Sequence, residues 1–127
     1  MQMSTKVTLN PVMQGVITLM DSNPNLKGTY IITSTVREPR YEGDTSHHIK
    51  GMAFDIVPKD GDFQKLQQEI AKDTNLVNYL QKNNLGIIVE VGPDARAKYK
   101  ATGDNLHFGP DKDAVAGLPK LISEFSV

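Results

Sequence analysis

Ser46-His47-His48-Ile49-Lys50-Gly51-Met52-Ala53-Phe54-Asp55 is the stretch on which the reading of this chain turns. It places an imidazole, His48, seven residues ahead of a carboxylate, Asp55, that interrupts the otherwise apolar run from Met52 to Val57. The segment Ala53-Phe54-Asp55-Ile56-Val57 reads as a strand, and period two puts Asp55 on the same face as Ala53 and Val57. That face should be at least partly buried. A carboxylate there costs several kcal/mol unless a cation or strong donors meet it. Two readings follow from the pair alone: a strand-end Asp that caps a turn or pairs with a lysine, or a metal shared with His48.

The whole stretch fits the pattern S-x-H-x-x-G-x-A-x-D at all its fixed places, a match that chance composition gives on the order of once in ten thousand chains of this length. Downstream stands Asp104-Asn105-Leu106-His107-Phe108, an acid three places before a histidine that is followed by phenylalanine. Upstream stands Ser34-Thr35-Val36-Arg37. In order and spacing these three elements resemble the signatures of the zinc D,D-peptidase and L-alanyl-D-glutamate endopeptidase family, peptidoglycan peptidases that share a core with the Hedgehog signalling domain. The resemblance spans residues 34 to 108. It implies an α+β fold, a small antiparallel sheet flanked by helices, with residues 1–127 forming a single catalytic domain.

Length and composition agree with one domain and leave little room for a separate targeting module. Fourteen basic against fifteen acidic side chains give a net charge of -1. That balance carries no electrostatic footprint for nucleic acid or an anionic membrane. Cysteine is absent. Disulfides and thiolate metal sites are therefore excluded, and any metal must be held by His and carboxylates. Met1 to Lys6 show no apolar run of signal-peptide length behind a basic start, and no stretch approaches the roughly 18 apolar residues of a membrane span. The expectation is a protein made in the cytoplasm. Joined to the resemblance, this suggests a bacteriophage lysis protein released onto the wall by a separate factor, or a virion component. A monomer is expected.

Along the chain, Asn10-Pro11 is a helix start, the side chain capping and the proline taking the first position. Val12, Val16 and Leu19, with Met13, Ile17 and Met20 beside them, give an apolar stripe that Asp21-Ser22-Asn23-Pro24 stops. Tyr30 to Val36 is nearly all β-formers and reads as a central strand ending at Arg37. Glu38 to Thr45 is a polar loop leading into the motif. After a strand from Met52 to Val57, Asp62 caps a helix carrying Phe63, Leu66 and Ile70. The Asp60-Gly61-Asp62 pair of acids reads as turn and cap, since the other ligands of a calcium loop are missing. Asp73 starts a further short helix with Leu76, Val77 and Leu80 inward, ended by Asn83-Asn84. Leu85 to Val91 is strongly β, broken at Gly92-Pro93. Asp94 to Gly103 is a polar, partly basic connection whose fold the sequence leaves open. Leu106-His107-Phe108 alternates as a strand with His107 opposite its apolar neighbours, and a bend at Gly103 is expected to swing Asp104 round to the His107 side. Leu118, Leu121, Ile122 and Phe125 give the end of the chain a helical pattern.

The resemblance assigns His48, Asp55 and His107 as ligands of a catalytic zinc (Zn2+), with a fourth position open to water. Such a zinc lowers the pKa of its water to about 7 and polarises the scissile carbonyl. By the same resemblance Asp104 is the general base, a place where some members of the family carry Glu. Arg37 steadies the substrate carbonyl or a substrate carboxylate, with Arg40 as a rival. Ser46 either hydrogen-bonds the substrate or is a structural serine beside a ligand. His47 lies outside the motif, and as a neighbour on a strand it should point away from His48. Gly109 stands where many relatives carry an acidic or bulky residue, and no tryptophan lies near His107. These departures bear on which bond is cut. The implied substrate is the peptidoglycan stem peptide, cut between L-alanine and D-glutamate. The alternatives are a D-alanyl-D-alanine carboxypeptidase or dipeptidase, and a non-catalytic, zinc-stabilised virion or wall-binding module.

Overall fold

The computed structural model describes residues 8–38, 42–43, 46–99 and 103–110. In chain order these form α1 (Pro11–Asp21), β1 (Tyr30–Ser34), a 3₁₀ turn (His47–Lys50), β2 (Phe54–Pro58), α2 (Phe63–Lys72), α3 (Thr74–Lys82), β3 (Gly86–Glu90), α4 (Pro93–Tyr99) and β4 (Asn105–Gly109). The strands make one antiparallel sheet in the order β1-β2-β4-β3. This is the α+β arrangement expected from the sequence.

Helix starts follow local side-chain chemistry. The Asn10 side chain accepts from the Val12 N–H at 2.8 Å, with Pro11 at the first helical position. Asp62 accepts from Lys65 N–H and Asp73 from Leu76 N–H, both at 3.0 Å. Each cap satisfies an N–H that has no partner inside its helix. Asp60 Oδ1 accepts from the Asp62 N–H at 2.9 Å, so the two acids close a turn.

The two sheet faces differ in kind. Phe54, Ile56, Leu106, Phe108 and Ile87 turn to one side and join Met13, Val16, Met20, Leu66, Ile70, Leu76 and Leu80 of the first three helices in the core. Phe54 and Phe108 stand directly opposite each other on paired strands, their rings stacked with centroids 4.8 Å apart and planes 9° from parallel. Aromatic pairs of this kind add to the stabilisation from their buried area. The residues between them on the same strands, Asp55 and His107, point to the opposite face.

Three expectations from sequence are corrected. Tyr30–Ser34 is an edge strand, not a central one, and it stops short of Arg37. Its β-formers include Ile31 and Ile32, which are 48% and 36% exposed. The strand after the motif begins at Phe54 rather than Met52, because the Met52 N–H still bonds back to the His47 carbonyl of the preceding turn. His47 lies in that turn, not on a strand. In the polar connection whose fold the sequence leaves open, Pro93 starts α4; proline is well suited to the first turn of a helix, so Gly92-Pro93 ends β3 and opens a helix at once. The helical pattern at Leu118 to Phe125 and the turn residues Pro39 and Asp44 lie outside the described residues. No helix among the described residues is long and apolar enough to cross a membrane.

Gly15 decides how closely α1 and α3 approach. The Tyr79 hydroxyl donates to the Val12 carbonyl at 2.7 Å, and a Cβ on Gly15 would stand 2.8 Å from Tyr79 Cζ and nearer still to the hydroxyl. Alanine gains about 0.5–1 kcal/mol over glycine inside a helix. Overpacking costs about 1–3 kcal/mol, and Tyr79 is anchored, so the clash prevails. Gly15→Ala should therefore lower the urea midpoint of unfolding; an unchanged or higher midpoint would show that Tyr79 yields freely.

Candidate metal centre

His48 is positioned by a turn whose every fixed residue has a mechanical task. Ser46 Oγ accepts from the His48 N–H at 3.3 Å and starts the turn. Gly51 ends it at φ 73, a left-handed conformation that glycine adopts without strain. Gly51 N–H returns to the His48 carbonyl at 3.1 Å and Met52 N–H to the His47 carbonyl at 2.9 Å. Asn10 N–H donates to the Gly51 carbonyl at 2.8 Å, fastening the turn to the start of α1. Ala53 is fully buried as the chain enters β2. The S-x-H-x-x-G-x-A-x-D pattern is thus a capped turn feeding a strand, with His48 and Asp55 as its two projecting polar groups.

The structure brings His48, Asp55 and His107 together, one donor atom from each lying within 4.8 Å of the others. Asp55 and His107 face each other across the β2–β4 pairing, with His107 Nδ1 2.9 Å from Asp55 Oδ1. His48 Nε2 stands 3.3 Å from the same oxygen. The two imidazoles meet edge to face, with centroids 5.0 Å apart. A tetrahedral zinc with bonds of about 2.0–2.1 Å sets its donor atoms roughly 3.3 Å apart, so these spacings suit one shared ion.

Hydrogen-bond chemistry tests the fit independently. His48 Nδ1 lies 2.7 Å from the Thr35 carbonyl, which can only accept, so Nδ1 carries a proton. In the neutral ring Nε2 then presents a lone pair to a carboxylate oxygen. That contact is repulsive unless a second proton or a metal cation lies between them. The Thr35 carbonyl is also the kind of outer partner that fixes the tautomer and orientation of a metal-binding histidine. Burial raises the proton affinity of Asp55, but hydrogen bonds from His107 and His48 and the charges of both rings outweigh it, so its carboxyl stays below the ordinary value.

The remaining sequence candidates fall as follows. Asp104 lies just before β4, and its Oδ1 accepts from Gly92 N–H at 3.0 Å and pairs with the Arg96 guanidinium of α4. These two donors hold its carboxyl below the usual range. The Gly103 bend therefore turns Asp104 toward the connection between β3 and α4. Arg37 follows β1 half-buried and donates to the Glu38 carbonyl at 3.1 Å. Ser46 serves as the cap described above, and His47 is half-buried beside the ligand set but outside it. Arg40 lies outside the described residues.

One acid on this face escaped the sequence reading. Glu90, 7% exposed, pairs across the sheet with Asn105 on the side that His107 and Asp55 share. Burial raises its pKa, and the charge of Asp55 acts in the same direction; His107, a hydrogen bond from Asn105, and His48 act against it without cancelling it. The signal was the one that marked Asp55: a carboxylate inside an apolar strand, here Leu85 to Val91.

Set against family models, curated proteins and solved structures, the chain finds no match. Its chemistry is therefore read from its own residues.

Zinc added to metal-free protein should bind at one equivalent and raise the melting temperature, by about 2.7 kcal/mol of stability at a hundredfold excess over Kd. Each imidazole must be deprotonated at its metal-binding nitrogen, so affinity should fall as pH is lowered. His107→Ala should remove the effect; calorimetry showing unchanged binding in that variant would place the ion elsewhere.

Proposed function

We propose that this protein is a zinc-dependent hydrolase of peptide bonds in the peptidoglycan stem, most like an L-alanyl-D-glutamate endopeptidase of the phage lysis type. The observation that carries the reading is the convergence of His48, Asp55 and His107 on one face of the sheet within reach of a single ion. Two imidazoles and one carboxylate leave a tetrahedral ion with an open position, the composition of a catalytic rather than a closed structural site. The metal, when bound, supplies Lewis acidity toward a carbonyl and toward water.

The chain's own residues supply the rest. The Thr35 carbonyl and the Ser46-capped turn orient His48, and the β2–β4 pairing orients Asp55 against His107. Arg37, on the segment that also carries Thr35, is the residue proposed to steady the substrate carbonyl or carboxylate. A carboxylate near the metal, but not bound to it, moves the proton from water to the departing amine. The choice of stem peptide and the kinship to Hedgehog-type peptidases rest on the three sequence elements of residues 34 to 108.

One observation favours a second reading, a zinc-stabilised binding module without turnover: Asp104, at the family's place for the base, is engaged by Gly92 and Arg96.

Purified sacculi digested with the zinc-loaded protein should yield stem peptides with new D-glutamyl amino ends by mass spectrometry. A chelator or His48→Ala should abolish them. Release of terminal D-alanine alone would identify the carboxypeptidase alternative, and intact stems with zinc bound would favour the binding module.

A further inference from the structure

Asp104, one residue ahead of β4, is held from the β3–α4 connection through only one of its two carboxyl oxygens. We propose that Arg96 is a positioning residue of the hydrolytic site: with Gly92 it anchors Asp104 Oδ1, so that Oδ2 takes the proton of the attacking water and returns it to the leaving amine. This deepens the hydrolase reading and rests on it.

The anchor is built from a single turn. Gly92 stands at φ 95, where side-chain-bearing residues are strained, and a Cβ there would meet no atom within 4 Å, so the turn uses the backbone freedom of glycine rather than its small size. Its N–H donates to Asp104 Oδ1 at 3.0 Å, and its carbonyl accepts from the Arg96 N–H, also at 3.0 Å. The first turn of α4 thereby brings the Arg96 guanidinium onto the same carboxyl oxygen. Both donors meet Oδ1. Among the described residues, none meets Oδ2.

Position and exposure suit the free oxygen to this work. Asp104 and His107 are three residues apart, so their Cα atoms stand no more than roughly 11 Å from each other, a span that two side chains directed at one water can close. Asp104 is not one of the clustered donors, which leaves it off the metal, as a general base must be. Its side chain is 36% exposed against 15% for Asp55, so it is the acid of the two that an incoming amide can reach. An ion pair this exposed adds little to stability. Its effect is to stop a carboxylate from rotating, and a reacting group misplaced by about 1 Å loses on the order of a hundredfold in rate.

The electrostatics agree with a group that takes a proton and hands it on. The Gly92 N–H and the Arg96 guanidinium hold the Asp104 carboxyl below its usual range, so it is ionised at neutral pH and does not retain a proton once it has accepted one. In the step, a water O–H bond breaks and its proton goes to Asp104 Oδ2 while the oxygen bonds to the amide carbon. The C–N bond then breaks, and the proton passes from Asp104 to the amine nitrogen. Amide and water become acid and amine, and Asp104 ends ionised as it began.

Zinc-loaded full-length wild type, Arg96→Gln, Arg96→Lys, Asp104→Asn and the double variant Arg96→Gln/Asp104→Asn are compared for zinc affinity, for kcat and KM on stem peptides, and for hydrolysis of p-nitrophenyl acetate, a probe that needs no stem peptide. Arg96→Gln should keep one equivalent of zinc at near wild-type affinity and lose roughly 10–10²-fold in kcat with KM little changed. Arg96→Lys, which keeps the charge, should recover part of that loss. Asp104→Asn should fall by roughly 10²–10⁴-fold, and because Arg96 acts through Asp104, removing it as well should cost about twofold or less. An Arg96→Gln protein that turns over as wild type does overturns the assignment. So does a fully additive loss in the double variant, since Arg96 would then act apart from Asp104, and so does weakened zinc binding in Arg96→Gln, since Arg96 would then support the ion. Wild-type protein that hydrolyses neither substrate overturns the anchor and the hydrolase reading together. Stems left intact, with ester hydrolysis that depends on zinc and on Arg96, refute the substrate and uphold the anchor. Stem cleavage that stops in Asp104→Asn and is untouched in Arg96→Gln upholds the substrate and refutes the anchor.

Discussion

The pairing register of β2 with β4 is the constraint on which the rest of this molecule depends. Phe54 opposite Phe108 and Asp55 opposite His107 are successive rungs of one ladder. Because side chains alternate faces, a slip of one residue in either strand would break the Phe–Phe and Asp–His matches together and set polar groups against the core. The stacked rings on one face thus hold the ligand pair on the other. The apolar side supplies the free energy, and the polar side inherits the geometry.

The third ligand reaches the same place by a different route. His48 comes from a short turn, and turns are softer than strands. Here the turn is held at three points: Ser46 at its start, Gly51 at its end, and Asn10 from the first helix. The Thr35 carbonyl then fixes the ring. The electrostatics of the face also call for a cation. Asp55 and Glu90 put two acids on one face of the sheet, Glu90 buried and Asp55 largely so, and a divalent ion there would offset the cost of charge on them.

How much of this was legible in the sequence depended on how far each determinant acts. The caps at Asn10, Asp62 and Asp73 are settled within a few residues, and each helix starts where its cap predicted. The ligands His48, Asp55 and His107 were legible because two are spaced in one motif and the third stands in a matching one. The edge position of β1 was not, since composition records β preference and not which strands pair. The start of α4 at Pro93 was hidden because proline breaks a strand and begins a helix with the same ring. Asp104 was expected to turn toward His107; Arg96, on an unforeseen helix, explains its other engagement. Glu90 carried the same mark as Asp55, an acid in an apolar strand, but no histidine stood near it in sequence to draw notice.

The central claim is that one divalent ion is shared by two imidazoles and one carboxylate. X-ray absorption at the zinc edge on protein loaded with one equivalent tests it most directly. The expected spectrum shows a four-coordinate ion with nitrogen and oxygen neighbours at about 2.0–2.1 Å and the outer-shell pattern of two imidazoles. A spectrum with oxygen neighbours alone, or one unchanged by His107→Ala, would contradict it.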